Sequence, residues 1–219
     1  MEECYERRIL GKYVKHLDED YDLCLGILFS GGKDSSYALF KAMQKNKVVC
    51  LISLISENDE SYMFHTPIDK VEEQARKLRL PLIKVKTKGE KEKELKDFKK
   101  AIKIAIEKYK IEGVITGAVE SVYQASRIQK ICNELDIYCF NPLWKIDQVE
   151  LLKEIVKEGF KVKIVKVAAE GLDEKWINRI IDNKTIKELI KLRDKYGISI
   201  SGEGGEYESE VIDCSLFKT

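Results

Sequence analysis

The sequence predicts an α/β fold: a parallel sheet with helices on both faces, followed by a smaller α/β part. Three observations carry this expectation. Short apolar runs of strand length recur at Leu23–Phe29, Val48–Ile55, Pro81–Val85, Gly113–Thr116 and Ile137–Phe140. The segments between them carry apolar residues at helical spacing. The first two runs, LCLGILF and VVCLISLI, are continuously apolar rather than alternating, which is the pattern of strands covered on both faces. Strands alternating with helices of this length give a parallel sheet.

Each element has its own local reason. Residues 3–16 suit a short lead-in helix. The first strand is broken by Ser30-Gly31-Gly32-Lys33-Asp34, and residues 35–45 then place Tyr37, Ala38, Leu39, Ala42 and Met43 on one helical face. After the second strand comes a polar loop, 56–61. Pro67 then opens a helix marked by Ile68, Val71, Ala75 and Leu78. Residues 90–109 form a third helix with Leu95, Phe98, Ile102, Ile106 and Tyr109 aligned, and 121–135 a fourth. Beyond Asn141-Pro142 the texture changes. A helix at 147–158 precedes a strand at 161–167, then helices near 174–181 and 184–195, and a Gly/Glu-rich loop at 201–208. This places a boundary between parts 1–140, with an extension at 1–20, and 141–219.

Composition narrows the function classes. The chain has 219 residues, 39 Lys+Arg against 38 Asp+Glu, and 44% hydrophobic residues, which excludes a disordered chain. A net charge of +1 supplies no general attraction to nucleic acid or to an anionic membrane, so neither is an expected partner. The segment 88–110 is locally basic, with nine Lys and five acids, and reads as a solvated helix face. The charged N-terminus has no apolar stretch behind it, which points to a cytoplasmic protein. None of the six cysteines forms Cys-x-x-Cys, and His16 and His65 lie far from any cysteine pair, so neither a zinc site nor a redox pair is expected.

The strongest motif is Ser30-Gly31-Gly32-Lys33-Asp34-Ser35, set between a buried strand and a helix. It is not a Walker A loop, because the first glycine position is Ile27 and Asp34 replaces the final Ser/Thr. Two adjacent glycines let backbone N–H groups approach an anion, and the helix start adds unpaired N–H groups and a positive dipole end. Lys33 supplies a charge, and Ser30 and Ser35 supply hydroxyls. Asp34 would repel phosphate unless it holds Mg²⁺ or caps the helix. This combination resembles the signature of the PP-loop ATP pyrophosphatases, a Rossmann-like group also described as adenine nucleotide alpha hydrolases. The resemblance implies ATP cleaved between its α- and β-phosphates.

Further segments narrow the resemblance. These are Ser56 through His65, Gly117 through Arg127, Gly171-Leu172-Asp173-Glu174-Lys175-Trp176, Ser201-Gly202-Glu203-Gly204-Gly205-Glu206-Tyr207-Glu208, and Asp213 through Phe217. Together they are similar to the diphthine–ammonia ligase (diphthamide synthase) family over residues 22–217. The chain departs from the family pattern at Ser209, Glu210 and Ser215, where Thr, a Leu-like residue and Pro are usual. The resemblance implies a ligase that uses ATP, Mg²⁺ and ammonium to convert the diphthine side chain of translation elongation factor 2 to diphthamide. In that reading 1–140 binds ATP and 141–219 binds substrate.

The chemistry fits the residue types. A carboxylate is not aminated directly near neutral pH, because hydroxide is a poor leaving group. Adenylation supplies a better one, and positioning with charge stabilisation does the rest. Gly31, Gly32 and Ser35, with Ser30, are expected to cradle the departing pyrophosphate, Lys33 to neutralise it, and Asp34 to hold Mg²⁺ or orient the phosphates. Gly117 suits close approach to the nucleotide, and Arg127 suits phosphate or carboxylate binding. His65 suits proton transfer from ammonium, or else caps the helix after it. Glu57 is a substrate-loop candidate. Residues 201–213 hold five acids and no base, and Glu203, Gly204, Gly205, Glu206, Tyr207 and Glu208 are the expected substrate contacts, with Glu206 as a catalytic candidate. Carboxylates and the Tyr207 ring suit a trimethylammonium group or ammonium. Thiolation of tRNA, adenylylsulfate reduction and a non-catalytic adenine-nucleotide sensor are the alternatives. The oligomeric state stays open, a homodimer included.

Overall fold

The structure, a computed structural model, describes residues 23–56, 68–88 and 94–217. The predicted helix at 3–16 lies outside these residues, as do Glu57, His65 and most of the loop that holds them. The first part alternates β1 (Cys24–Leu28), α1 (Lys33–Met43), β2 (Lys47–Ser56), α2 (Ile68–Leu78), β3 (Leu82–Thr87), α3 (Glu94–Tyr109), β4 (Gly113–Ile115), α4 (Val122–Glu134) and β5 (Tyr138–Phe140). The second part adds α5 (Gln148–Lys157), β6 (Lys161–Val167), α6 (Asn183–Tyr196) and β7 (Tyr207–Asp213).

The five strands of the first part form one sheet in the order β3-β2-β1-β4-β5, every neighbouring pair parallel. Chain connections leave β1 toward β2 on one side, and β4 lies on the other. The crevice at the carboxyl ends of β1 and β4 is therefore the topological switch point, where ligands of such sheets bind. Helices cover both faces. α3 and α4 bury Phe98, Ala101, Ile102, Ile128 and Ile131 on one side. α1 and α2 cover the other, with Tyr37, Ala38, Leu39, Val71 and Ala75.

The second part packs into that same apolar cluster. Leu151, Leu152 and Ile155 of α5, Ile186 and Leu189 of α6, and Val162, Ile164, Tyr207 and Val211 of β6 and β7 are continuous with the core over α1. A hydrogen bond reinforces the seam: the Tyr37 hydroxyl donates to Glu154 Oε2 at 2.8 Å. Helix starts follow their caps, with Ser121, Asp147 and Asp182 accepting from backbone N–H groups at the heads of α4, α5 and α6.

Two expectations need correction. The segment 174–181 is not a helix: Glu174–Trp176 makes one 3₁₀ turn, Asn178 is left-handed at φ 69, and Ile180 bridges Lys163 as a strand-like contact. Trp176 is needed in the core and Ile180 beside β6, and one helix cannot serve both. The loop at 201–208 also ends sooner than expected, because Tyr207 and Glu208 begin β7, antiparallel to β6. Glu is uncommon in strands, so YESEVID gives a weak strand pattern. The backbone ladder and the buried Val162, Ile164, Tyr207 and Val211 hold it in place, and opposite charges face each other across it: Lys161 to Asp213 at 2.9 Å, Lys163 to Glu210 at 3.2 Å and Lys166 to Glu208 at 3.2 Å.

Candidate active site

The loop after β1 takes its shape from its glycines. Gly31 is left-handed at φ +78, a conformation that a side chain would strain. Gly32 caps α1 with extended backbone and has no side chain to cap the helix start itself. The hydroxyls of Ser30 and Ser35 lie 3.2 Å apart, and Ser35 Oγ also donates to the Gly32 carbonyl at 3.2 Å. Gly117, after β4, is required by packing: a Cβ there would sit 2.8 Å from the backbone of Asp34 and Ser35. The two strand ends thus meet through bare backbone at the switch point.

Lys33 is only 3% exposed. Its ammonium pairs with Asp34 Oδ2 at 2.6 Å and lies 5.5 Å from the centre of the Tyr207 ring. The other Asp34 oxygen, Oδ1, is buried and has no hydrogen-bond partner among the described residues. Such an orphaned oxygen suits a cation, and Mg²⁺ typically takes only one or two carboxylates beside phosphate and water. Among the described residues no cluster of three or more His, Cys, Asp or Glu could hold a metal ion.

Strand β7 runs across this loop. Ser209 Oγ accepts from the Lys33 N–H at 3.2 Å, and the Val211 N–H donates to the Gly31 carbonyl at 3.1 Å. Tyr207 is buried, donates its hydroxyl to the Ile200 carbonyl at 2.8 Å, and has its phenol pushed up by burial and then by the Asp34 charge. A cavity of about 440 Å³ opens between these elements. Ser30 through Ser35, Thr116, Gly117, Ala118, Gln124, Lys70 and Gly202, Glu203, Tyr207 through Glu210 line it. That volume is within the range of small-molecule sites. A second hollow, about 670 Å³, lies beyond Glu203 and is lined by Glu120, Asp147, Gln148, Arg193, Ser199, Gly204 and Glu206.

A glycine-rich loop and a glutamate-rich segment thus share one cavity. Comparison with known proteins identifies the family. The diphthamide synthase N-terminal domain model matches residues 25–138, and the C-terminal domain model matches 147–219. The chain belongs to the diphthamide synthase family. Its relatives include the diphthine–ammonia ligases of Homo sapiens, 34% identical over 87% of this chain and 79% of that protein, and of Mus musculus, 35% identical with the same coverage. It is accordingly a ligase that forms C–N bonds, and these relatives support an ATP-dependent amidation in diphthamide synthesis. Among solved structures, the U34-tRNA thiolase NcsA of Methanococcus maripaludis is similar at a TM-score of 0.44 and 16% identity, covering 93% of this chain and 79% of that one.

Within this diphthamide synthase fold, the residues singled out in the sequence fall into distinct places. Ser30 to Ser35 and Gly117 meet at one cavity, as do Glu203, Tyr207 and Glu208. Glu203 Oε2 accepts from the Glu120 N–H at 3.4 Å; burial, then the Asp34 charge, raises its carboxyl above the ordinary range, against the pull of Lys33. Glu206 is turned inward to its own loop: its carboxylate accepts from the Ser199 N–H at 2.9 Å and the Gly204 N–H at 2.8 Å. Glu208 is paired with Lys166. Arg127 stacks 3.4 Å above the Tyr123 ring and donates to the carbonyl of that residue, while Gln124 and Ile128 on either side of it along α4 line the cavity. Thr116, Lys70, Ser209 and Glu210 also line the cavity and carry no motif of their own. The lysines of β6 opposite the acids of β7 were the signal that could have revealed the strand holding two of them.

Proposed function

We propose that this chain amidates the diphthine side chain of translation elongation factor 2 in the cytoplasm, using ATP and ammonium. The observation that carries the reading is the hydrogen bond from the Lys33 N–H to Ser209 Oγ, which joins the anion loop to the strand leading from the glutamate-rich loop. ATP would lie in the 440 Å³ cavity with its phosphates at Gly31, Gly32 and Ser35. A carboxylate oxygen of diphthine attacks the α-phosphorus. The bond to the β-phosphate breaks and pyrophosphate leaves. Ammonium gives up a proton to become ammonia, which attacks the acyl carbon; a C–N bond forms, AMP departs, and the nitrogen sheds a second proton.

The chain's own groups serve these steps. The start of α1 and the Lys33 ammonium hold charge on the departing pyrophosphate. Asp34 Oδ1 would hold Mg²⁺, which supplies electrostatic neutralisation of the phosphates. Glu203 faces both hollows, so the acceptor side chain would reach the nucleotide past it from the second one. The bonds of Glu206 to the backbone make it the brace of the substrate loop, and Tyr207 presents its ring beside Lys33.

The test is release of pyrophosphate and AMP from MgATP and ammonium, with and without diphthine-bearing elongation factor 2. Release that requires the factor, together with its mass change from carboxylate to amide, supports the reading. Nucleotide binding without release under any of these conditions would make the chain an adenine-nucleotide sensor.

A further inference from the structure

Gln74 lies on α2, outside every motif described above, and is 3% exposed. A primary amide is buried only where its hydrogen-bonding groups find partners. Its Nε2 donates to two carbonyls, that of Gly31 at 3.1 Å and that of Val211 at 2.7 Å. Both partners are acceptors, which fixes which end of the amide is nitrogen. The Gly31 carbonyl also receives the Val211 N–H at 3.1 Å. One side chain therefore ties the anion loop to β7 at the residue where the loop backbone is left-handed. Its Oε1 has no hydrogen-bond partner among the described residues and lies against Gly31, 2.3 Å from where a Cβ would be. Glycine is thus doubly required there, by conformation and by this contact.

We infer that Gln74 is a positioning residue for the nucleotide: it clamps Gly31 to β7 and so holds the phosphate-binding backbone in register with the substrate loop. The inference rests on the proposed nucleotide role of the loop. Gln74 is not part of the cavity wall and acts through Gly31. The clamp joins positions 43 and 137 residues away from Gln74 in sequence, and it makes nucleotide binding and the order of β7 mutually dependent.

Two variants and one variant-free measurement test it. Gln74→Met keeps the length and removes the donor; Gln74→Glu keeps the shape and turns an acceptor toward two carbonyls. Calorimetry with MgATP, without acceptor, is expected to show the dissociation constant rising about tenfold in Gln74→Met and further in Gln74→Glu. In turnover, KM for ATP rises while KM for ammonium stays within twofold. In the wild-type chain, saturating MgATP should slow hydrogen exchange of the Val211 amide about tenfold. ATP affinity within twofold of wild type in folded variants, or exchange at Val211 that MgATP leaves unchanged, would overturn the inference. A wild-type chain that binds MgATP but makes no amide refutes the ligase reading alone. A chain that amidates while both variants bind ATP normally refutes the clamp alone.

Discussion

Glu203 stands between the two hollows, and its environment makes a pH prediction. Burial and the Asp34 charge raise its carboxyl above the ordinary range, so folding favours the protonated form. That contribution is complete below the unfolded-state pKa and is lost as pH rises through the folded-state value. Glu203→Gln should therefore melt higher than wild type at pH 7, with the gap closing as pH falls below the ordinary carboxyl range; thermal unfolding across pH checks this. Lys33 makes a different kind of prediction. A buried ammonium beside the phosphate position acts on developing charge, so Lys33→Ala should cut pyrophosphate release by ~100-fold or more, with the fold retained by circular dichroism. At Gly117 the constraint is steric. An added Cβ would meet backbone atoms at 2.8 Å, and backbone cannot rotate away as a side chain can. Gly117→Ala should cost about 1–3 kcal/mol in urea unfolding and weaken nucleotide binding with it.

Between elements, the seam of α1 with α5 is the contact most open to measurement. Tyr37 donates to Glu154 at 2.8 Å, and Lys41 reaches the same oxygen at 3.3 Å. The tyrosine hydrogen bond is the largest influence holding the Glu154 carboxyl below its usual range. Its contribution is present above the unfolded-state pKa and is lost as pH falls through the folded-state value. Tyr37→Phe should destabilise by about 1 kcal/mol at pH 7 in urea unfolding, and by less in acid. Strand β7 illustrates why local pattern can mislead. Three acids in seven residues read as a solvated loop, but each of Glu208, Glu210 and Asp213 faces a lysine of β6. The free carboxylates expected to attract a cation are in large part committed to the ladder.

Across the whole molecule, the two parts that composition separates near residue 141 share one apolar core. Leu151→Ala, at a fully buried site in that core, should cost about 2–5 kcal/mol and leave a single cooperative transition, seen when fluorescence and circular dichroism coincide. Most of the first part was legible in the sequence because its signals are local. Continuous apolar runs predict covered strands, and two glycines between a strand and a helix predict a tight turn from one to the other. From the residues alone came the parallel sheet, the position of the loop, and the motifs that carried the family resemblance. Tertiary structure alone decided which carboxylates stay available, that Gln74 and Ser209 belong to the loop, and that Gly117 packs on Asp34 and Ser35. The reason is separation along the chain. Ser209 meets Lys33 across 176 residues, and no spacing rule reaches that far; only burial of a shared core brings the two together.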